Sequence, residues 1–226
     1  MGVAIVGAGG HGRVALECLQ LSGELGPDED IAHFDDQWDS LDSTEGVPIY
    51  GPVLILAEDQ HFPYVFVGIG DNRARRRISL ELERAGKSFL TILHPQTVIS
   101  PRAKIGEGSI AIAGTVVNRD AQVGRGVILN TTCTVGHDCR VGDFAQISPG
   151  VNLGGAAIIG EGAFLGIGVK VVPLARVGAW SIVGAGSVVL NDLPDRHFCV
   201  GAPARPIRSL RKDEFPADES SLASVS

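Results

Sequence analysis

Along one stretch of the chain an aliphatic or small apolar residue returns at every sixth position: Ile99, Ile105, Ala111, Val117, Val123, Leu129, Val135, Val141, Ile147, Leu153, Ile159, Leu165, Val171, Val177, Val183 and Val189. Four residues after most of them stands a small side chain, among them Ala103, Ser109, Thr115, Ala121, Cys133, Cys139, Ala145, Ala157 and Ala163, and Gly commonly follows the aliphatic residue. Neither a helix nor a flat strand repeats in six. A short fixed period predicts a solenoid, in which each repeat buries its apolar edge only by stacking on its neighbours. One inward aliphatic and one inward small residue per hexad fit a triangular prism whose faces are short parallel strands. Three hexads close a coil, so these sixteen make a little over five. At the strand spacing of about 4.8 Å the prism is about 25 Å tall. The strictness of the pattern excludes a Gly-rich disordered segment.

Ahead of the hexads the periodicity changes. Val3 to Val6 predicts a strand, Gly7-Ala8-Gly9-Gly10-His11-Gly12 a glycine turn, and Val14, Ala15, Cys18 and Leu19 an amphipathic helix. Gly7, Gly9 and Gly12 match the dinucleotide fingerprint, in which glycines let a phosphate approach the backbone and the helix N-terminus offers amide donors. Ile31 to Phe34 predicts a second strand, ending at Asp35 and Asp36, which are either acceptors for ribose hydroxyls or solvated loop acids. Tyr64 to Ile69 predicts a third strand, followed at Gly70 by a helix with Asp71 or Asn72 as N-cap and Ala74, Ile78, Leu82 and Ala85 on its apolar face. Arg73, Arg75, Arg76 and Arg77 read as a solvated face of that helix, with a diphosphate contact as the alternative. Phe89 to Leu93 predicts a fourth strand. Residues 1–93 are therefore expected to form a small α/β domain, 94–194 the prism, and 195–226 a cap followed from about Asp213 by a frayed acidic, Ser-rich tail. About four strands make one mononucleotide-binding half, which suits a nucleotide-linked small molecule better than a dinucleotide.

The 226 residues are 44% hydrophobic, enough for two modest cores. A net charge of −7 and a pI near 5.3 argue against nucleic acid as a partner. No apolar run is long enough to span a membrane and the N-terminus reads as a strand, so no membrane association and a cytoplasmic location are expected. Cys133 and Cys139 fall in the small-residue slot, and Cys18 on an apolar helix face with Val14 and Leu21, so they read as packing, without disulfides or a metal.

His137 is the one histidine inside the hexads. It lies two residues after Val135, at a corner that points outward, where it is either idle or a general base oriented by Asp138. One coil later stands Gly155, whose amide, with no side chain beside it, suits an oxyanion.

The Gly-Ala-Gly-Gly-His-Gly opening, Asp35-Asp36, Gly-Ile-Gly-Asp-Asn-Arg, Asn-Thr and Val-Gly-His-Asp-Cys in the hexads, and Val-Gly-Ala-Pro-Ala-Arg near the end resemble, in order, the bacterial nucleotide-sugar N-acetyltransferases of the hexapeptide-repeat superfamily, relatives of the sialic acid O-acetyltransferases. The resemblance covers residues 1 to about 208. It implies a left-handed parallel β-helix behind a Rossmann-like domain, assembled as a homotrimer, with acetyl-CoA between neighbouring prisms and no metal. It further implies transfer of acetyl to the amine of a UDP- or GDP-linked amino-dideoxy sugar. His137 resembles the base, Asp138 its acidic partner, and Gly155 the amide facing the thioester carbonyl. Gln146, Ile167 and Pro173, with Gly155, take coenzyme positions, Gln146 standing where relatives often carry a second histidine. Gly9, Gly10, His11, Asp35, Asp36 and Gly70 take nucleotide-sugar positions. Three alternatives stand beside this: O-acetylation of a sugar hydroxyl, a zinc carbonic anhydrase, which needs several converging histidines, and a non-catalytic nucleotide-sugar sensor, which has no use for His137.

Overall fold

A computed structural model describes residues 2–23, 30–41, 43 and 46–214. The first domain runs β1 (Val3–Val6), α1 (Gly10–Ser22), β2 (Ile31–Phe34), β3 (Ile49–Gly51), α2 (Val53–Leu56), β4 (Tyr64–Val67), α3 (Asn72–Arg84) and β5 (Ser88–Phe89). Its sheet is parallel throughout, in the order β3-β2-β1-β4-β5. β1 is buried along its whole length, as a central parallel strand covered on both faces should be. Sequence periodicity misses β3, a three-residue strand whose pairing with β2 is irregular. The strand expected to reach Ile69 stops at Val67, with the Gly68 amide making the last ladder bond, to the Val6 carbonyl at 2.8 Å. On α1, Cys18 is buried as expected, but Leu21 is exposed and Leu16 and Leu19 take the core side.

The strand expected over Phe89 to Leu93 is two strands in two sheets. Ser88–Phe89 pairs with β4, whereas Ile92–Leu93 pairs with Ile110–Ala111 in the prism. Leu93 is six before Ile99, so the hexads begin one repeat earlier than the pattern suggested, inside the segment assigned to the first domain.

From Ile92 the chain is a left-handed parallel β-helix of two-residue strands, each paired eighteen residues on, as in Thr134 with Asn152. The second residue of each strand points inward, and with the small residues it forms one continuous core from Ala111 to Leu193. We call the face bearing Ile92–Leu93, Ile110–Ala111, Ile128–Leu129, Gln146–Ile147, Phe164–Leu165 and Ile182–Val183 the docking face. The second face carries Val98–Ile99 through Val188–Val189, and the third Lys104–Ile105 through Arg176–Val177. Counting from Ile92, residues 92–109 form the first coil and each later coil starts eighteen residues on.

The first domain covers the docking face. Outward-pointing Ile110 and Ile128, with Ile92, pack in one cluster with Val3, Ala15, Leu16, Leu19 and Phe66. Arg75 locks the same junction. It is 1% exposed, contrary to the solvated helix face expected of its arginine run, and stands on the buried side of α3 with Ile78 and Leu82. Its guanidinium donates to the carbonyls of Gly126, Phe144 and Ile69 and to Asn72 Oδ1, at 2.7–2.9 Å. Satisfying so many donors on carbonyls keeps a buried guanidinium charged without a contacting carboxylate. Beyond the hexads, His197–Gly201 pairs parallel to Ile182–Val183 and Ala204–Ser209 folds back antiparallel on it, closing the end of the docking face. Of the tail expected to fray from about Asp213, Asp213 and Glu214 lie in a short 3-10 turn, Glu214 held by Arg208 at 2.7 and 2.8 Å, and residues 215–226 lie outside the described residues. No helix among the described residues is long and apolar enough to cross a membrane.

Candidate active site

At the C-terminal ends of β1, β2 and β4 lies a cavity of about 350 Å³. Its lining includes all six residues expected to meet a nucleotide-sugar: Gly9, Gly10, His11, Asp35, Asp36 and Gly70. The glycines divide by task. Gly12 is structural, since a Cβ there would lie 2.0 Å from the Gly7 carbonyl oxygen, where α1 meets the sheet. Gly9 and Gly10 have nothing within 4 Å of an added Cβ, so their bareness leaves room for a ligand rather than for the fold. Gly9 caps α1 without any side-chain acceptor, leaving the first-turn amides to face an anion.

The acids are more tightly used than either sequence reading allowed. Asp35 accepts from the amides of Ala8 and Gln37 at 2.8 and 2.9 Å, fixing the glycine turn, and Asp36 accepts from Val53 N at 3.0 Å. They brace the cavity and keep lone pairs for hydroxyl donors. His11 Nε2 is buried with no hydrogen-bond partner among the described residues, and burial, reinforced by the nearby Arg75 charge, lowers its pKa from 6.5 to about 4. It is therefore a neutral imidazole at pH 7. Asp71, not Asn72, caps α3, accepting from Arg73 N and Ala74 N. Past Gly70 a second cavity of about 280 Å³ runs along the docking face, lined by Asp71, Phe164, Trp180, Ile182 and Glu214.

His137 is elsewhere. It stands on the corner between the second and third faces, which in a triangular section is the corner opposite the docking face; we call it the far corner. The ring is about two-thirds exposed, and its Nδ1 lies 2.7 Å from Asp138 Oδ2. A carboxylate accepting from Nδ1–H leaves the lone pair on Nε2. Asp138 adopts a left-handed φ of 58°, as do Asp120, Ala156 and Leu174, the residues in the same slot one coil below and one and two coils above. The other two corners fill that slot mostly with glycine.

Directly above His137 is Gly155, where an added Cβ would meet Nε2 at 2.5 Å. Its N–H makes no hydrogen bond to a described residue. The equivalent amides of His137 and Glu161 are equally unbonded, so the missing side chain, not the amide, singles out Gly155. Pro173 continues the column one coil higher. Gln146 and Ile167 do not join it: Gln146 is on the docking face, its Oε1 buried without a partner among the described residues, and Ile167 is exposed on the corner between the docking and second faces. The coenzyme positions thus fall on two separate surfaces of one chain. Cys133 and Cys139 point inward, and burial pushes the Cys133 thiol up to about 12 and the Cys139 thiol upward, so neither is a ready nucleophile. Among the described residues no group of His, Cys, Asp or Glu is arranged to hold a metal ion.

Arg75 is the site-supporting residue that sequence reasoning missed; its signal was the helical spacing with Ile78 and Leu82 rather than the neighbouring arginines.

Residues 2–82 match the PglD N-terminal domain family. A UDP-N-acetylbacillosamine N-acetyltransferase from Bacillus subtilis strain 168 is 36% identical over 113 residues, 49% of this chain and 51% of that protein, so the match spans about half of each. Among solved structures, a histidine variant of perosamine N-acetyltransferase from Caulobacter crescentus, in complex with CoA and GDP-perosamine, is 38% identical with a TM-score of 0.86, covering 92% of this chain and 98% of that one. The acetyltransferase domain of PglB from Neisseria gonorrhoeae, in complex with acetyl coenzyme A, is 36% identical with a TM-score of 0.85, covering 91% and 98%.

Proposed function

Because the chain belongs to the hexapeptide-repeat nucleotide-sugar N-acetyltransferases, we propose that it transfers acetyl from acetyl-CoA to the amine of a nucleotide-linked amino-dideoxy sugar. The nucleotide lies in the β-sheet cavity, with its diphosphate on the Gly9–Gly10–His11 amides and its ribose toward Asp35 and Asp36. Acetyl-CoA lies along the far corner past Gly155 and Pro173.

The reaction is a direct attack. The amine nitrogen adds to the thioester carbonyl carbon while His137 Nε2 accepts the N–H proton. The Gly155 amide donates to the developing oxyanion. The intermediate collapses with cleavage of the C–S bond, and the proton leaves with the CoA thiolate as thiol. Asp138 keeps the imidazole in the Nδ1–H tautomer and stabilises the imidazolium between the two proton transfers.

The observation that carries this reading is the His137 column: an imidazole oriented at 2.7 Å by a carboxylate, beneath a residue that must be glycine for the ring to stand there. A sensor of nucleotide-sugars needs the cavity but not the column. Both named substrates among the relatives are amino-sugar nucleotides, one UDP-linked and one GDP-linked, which favours an amine over a hydroxyl acceptor.

The same geometry supports assembly as a homotrimer. In one chain the nucleotide cavity and His137 lie on opposite sides of the prism, and Gln146 and Ile167 lie away from Gly155. Closed cyclic assembly brings the docking-face side of one copy to the far corner of the next and unites both sets. Thiol release from acetyl-CoA, measured with UDP- and GDP-linked amino sugars and without them, tests the activity. Release that is independent of any amino-sugar nucleotide refutes it.

A further inference from the structure

The column on the far corner does not end at His137. One coil below stands Arg119, whose carbonyl accepts from the Asp138 amide at 3.2 Å. Arg119 Nε donates to Asp120 Oδ2 at 3.0 Å, and Arg102 Nε, one coil lower, donates to Asp120 Oδ1 at 2.9 Å. One carboxylate is thus shared by two guanidiniums, and their bonds hold it below the usual carboxylate range. The pairing uses Arg119 through Nε alone. Its two terminal nitrogens make no hydrogen bond to a described residue, so the planar end of the fork is presented beside the base, aimed by Asp120 and free for a bidentate anion.

Height along the prism says which anion. Gly155 and Pro173, on the coenzyme side, occupy the fourth and fifth coils, above His137 in the third. Arg119 is in the second. The first domain packs on Ile92, Ile110 and Ile128, one in each of the first three coils. Arg75 ties the cavity rim at Ile69 to the carbonyls of Gly126 and Phe144, at the ends of the second and third coils. In a cyclic assembly, related copies sit at the same height. Asn72, just past the cavity rim, donates to the Gly162 carbonyl at the end of the fourth coil, so with prism axes parallel to the rotation axis the phosphate-facing amides of one copy's α1 fall within the second-to-fourth-coil span that holds Arg119, His137 and Gly155 of the next.

We propose that Arg119 binds the diphosphate of the nucleotide-linked sugar carried by the neighbouring copy, completing from below the site that the Gly9–Gly10–His11 amides open, and so selects a charged nucleotide-sugar over a free amino sugar. This rests on the acetyltransferase reading and on its intersubunit site. On the two coils below His137 the corner sets Arg102 and Arg119 against the single acid Asp120, a local cation on a chain of net charge −7.

The test is titration calorimetry of UDP and GDP against the assembled wild-type protein and the Arg119→Gln and Arg119→Lys variants, alongside steady-state kinetics. Loss of one charge-assisted contact should weaken nucleoside diphosphate binding about tenfold in Arg119→Gln, with Lys recovering part of it. KM for the nucleotide-sugar should rise by a similar factor, with kcat and the KM for acetyl-CoA nearly unchanged. The salt dependence of KM should flatten, which a merely structural role would not cause. Unchanged diphosphate affinity in Arg119→Gln overturns the proposal, as does an equal loss of acetyl-CoA binding. An Arg119-dependent diphosphate affinity without any acetyl transfer instead upholds the contact and removes the activity reading.

Discussion

The imidazole of His137 occupies the space in which a side chain on Gly155 would begin, Nε2 standing 2.5 Å from an ideal Cβ. Gly155→Ala should therefore turn the ring away from its bond to Asp138, lowering kcat toward the level of His137→Ala. General-base catalysis is worth about 10²- to 10⁴-fold, and that is the expected loss for His137→Ala, with nucleotide binding intact. Stopped or steady-state thiol assays decide it; near wild-type turnover in His137→Ala would make this an idle corner histidine.

Asp138 holds a left-handed φ of 58°, a conformation that costs a non-glycine residue about 1–2 kcal/mol. Asp138→Gly relieves that strain but gives back about 0.5–1 kcal/mol of chain entropy, so the melting temperature should hold or rise while kcat falls. Asp138→Asn keeps an acceptor for Nδ1–H and loses only the charge, so its kcat should lie between wild type and Asp138→Gly. A melting temperature that drops in step with activity would make Asp138 a structural residue.

Gly10 and Gly12, two positions apart, should behave oppositely. A Cβ at Gly10 meets no described atom outside its own helix within 4 Å, so Gly10→Val should raise the KM for the nucleotide-sugar while sparing the fold and acetyl-CoA binding. Gly12→Ala drives a methyl into the Gly7 carbonyl and should destabilise the first domain. Thermal unfolding and titration of the two variants side by side would separate the roles, and equal loss of stability would remove Gly10 from the binding site.

His11 is neutral in the folded chain down to about pH 4 but protonates near 6.5 when unfolded. In that window the unfolded state binds more protons, so its contribution to stability is complete above pH 6.5 and is lost as the pH falls toward 4. His11→Gln should flatten this part of the stability profile in denaturant titrations. An unchanged slope between pH 4 and 6.5 would mean that the ring is solvated in the folded protein.

If the cavity and the base of one active site come from different chains, then at nucleotide-sugar concentrations well below the raised KM of Gly10→Val, co-assembled His137→Ala and Gly10→Val chains should recover activity that neither shows alone. Mixed oligomers as inactive as the parents would confine the site to one chain.

The prism was legible because one inward residue in six repeats without interruption. Its first repeat was not, because outward Ile92 packs on α1 and joins Phe89 and Leu93 in what reads as a single apolar run. β3 left no periodic trace in three residues ending at Gly51. Of the cavity lining, Gly7, Gly9 and the Asp35–Asp36 pair were legible from strand, glycine turn and acids, whereas Gly10, His11 and Gly70 came only with the family resemblance, and Gly12 of the same fingerprint serves the fold. The opposite placement of cavity and base was not, for it depends on which face the first domain covers. The clue lay in Ile92, Ile110 and Ile128, outward isoleucines spaced by eighteen.

The eighteen-residue pairing step also makes the prism a ruler with one permitted graduation. Removing a single hexad anywhere between Arg119 and Gly155 turns everything above it by one face, carrying the later column to a different corner and the C-terminal cap off the docking face. Removing three hexads restores the phase and shortens the molecule by about 4.8 Å. Length variation compatible with this architecture is thus quantised, and a coil gained or lost below His137 would change the reach from nucleotide to base while leaving the orientation of both intact.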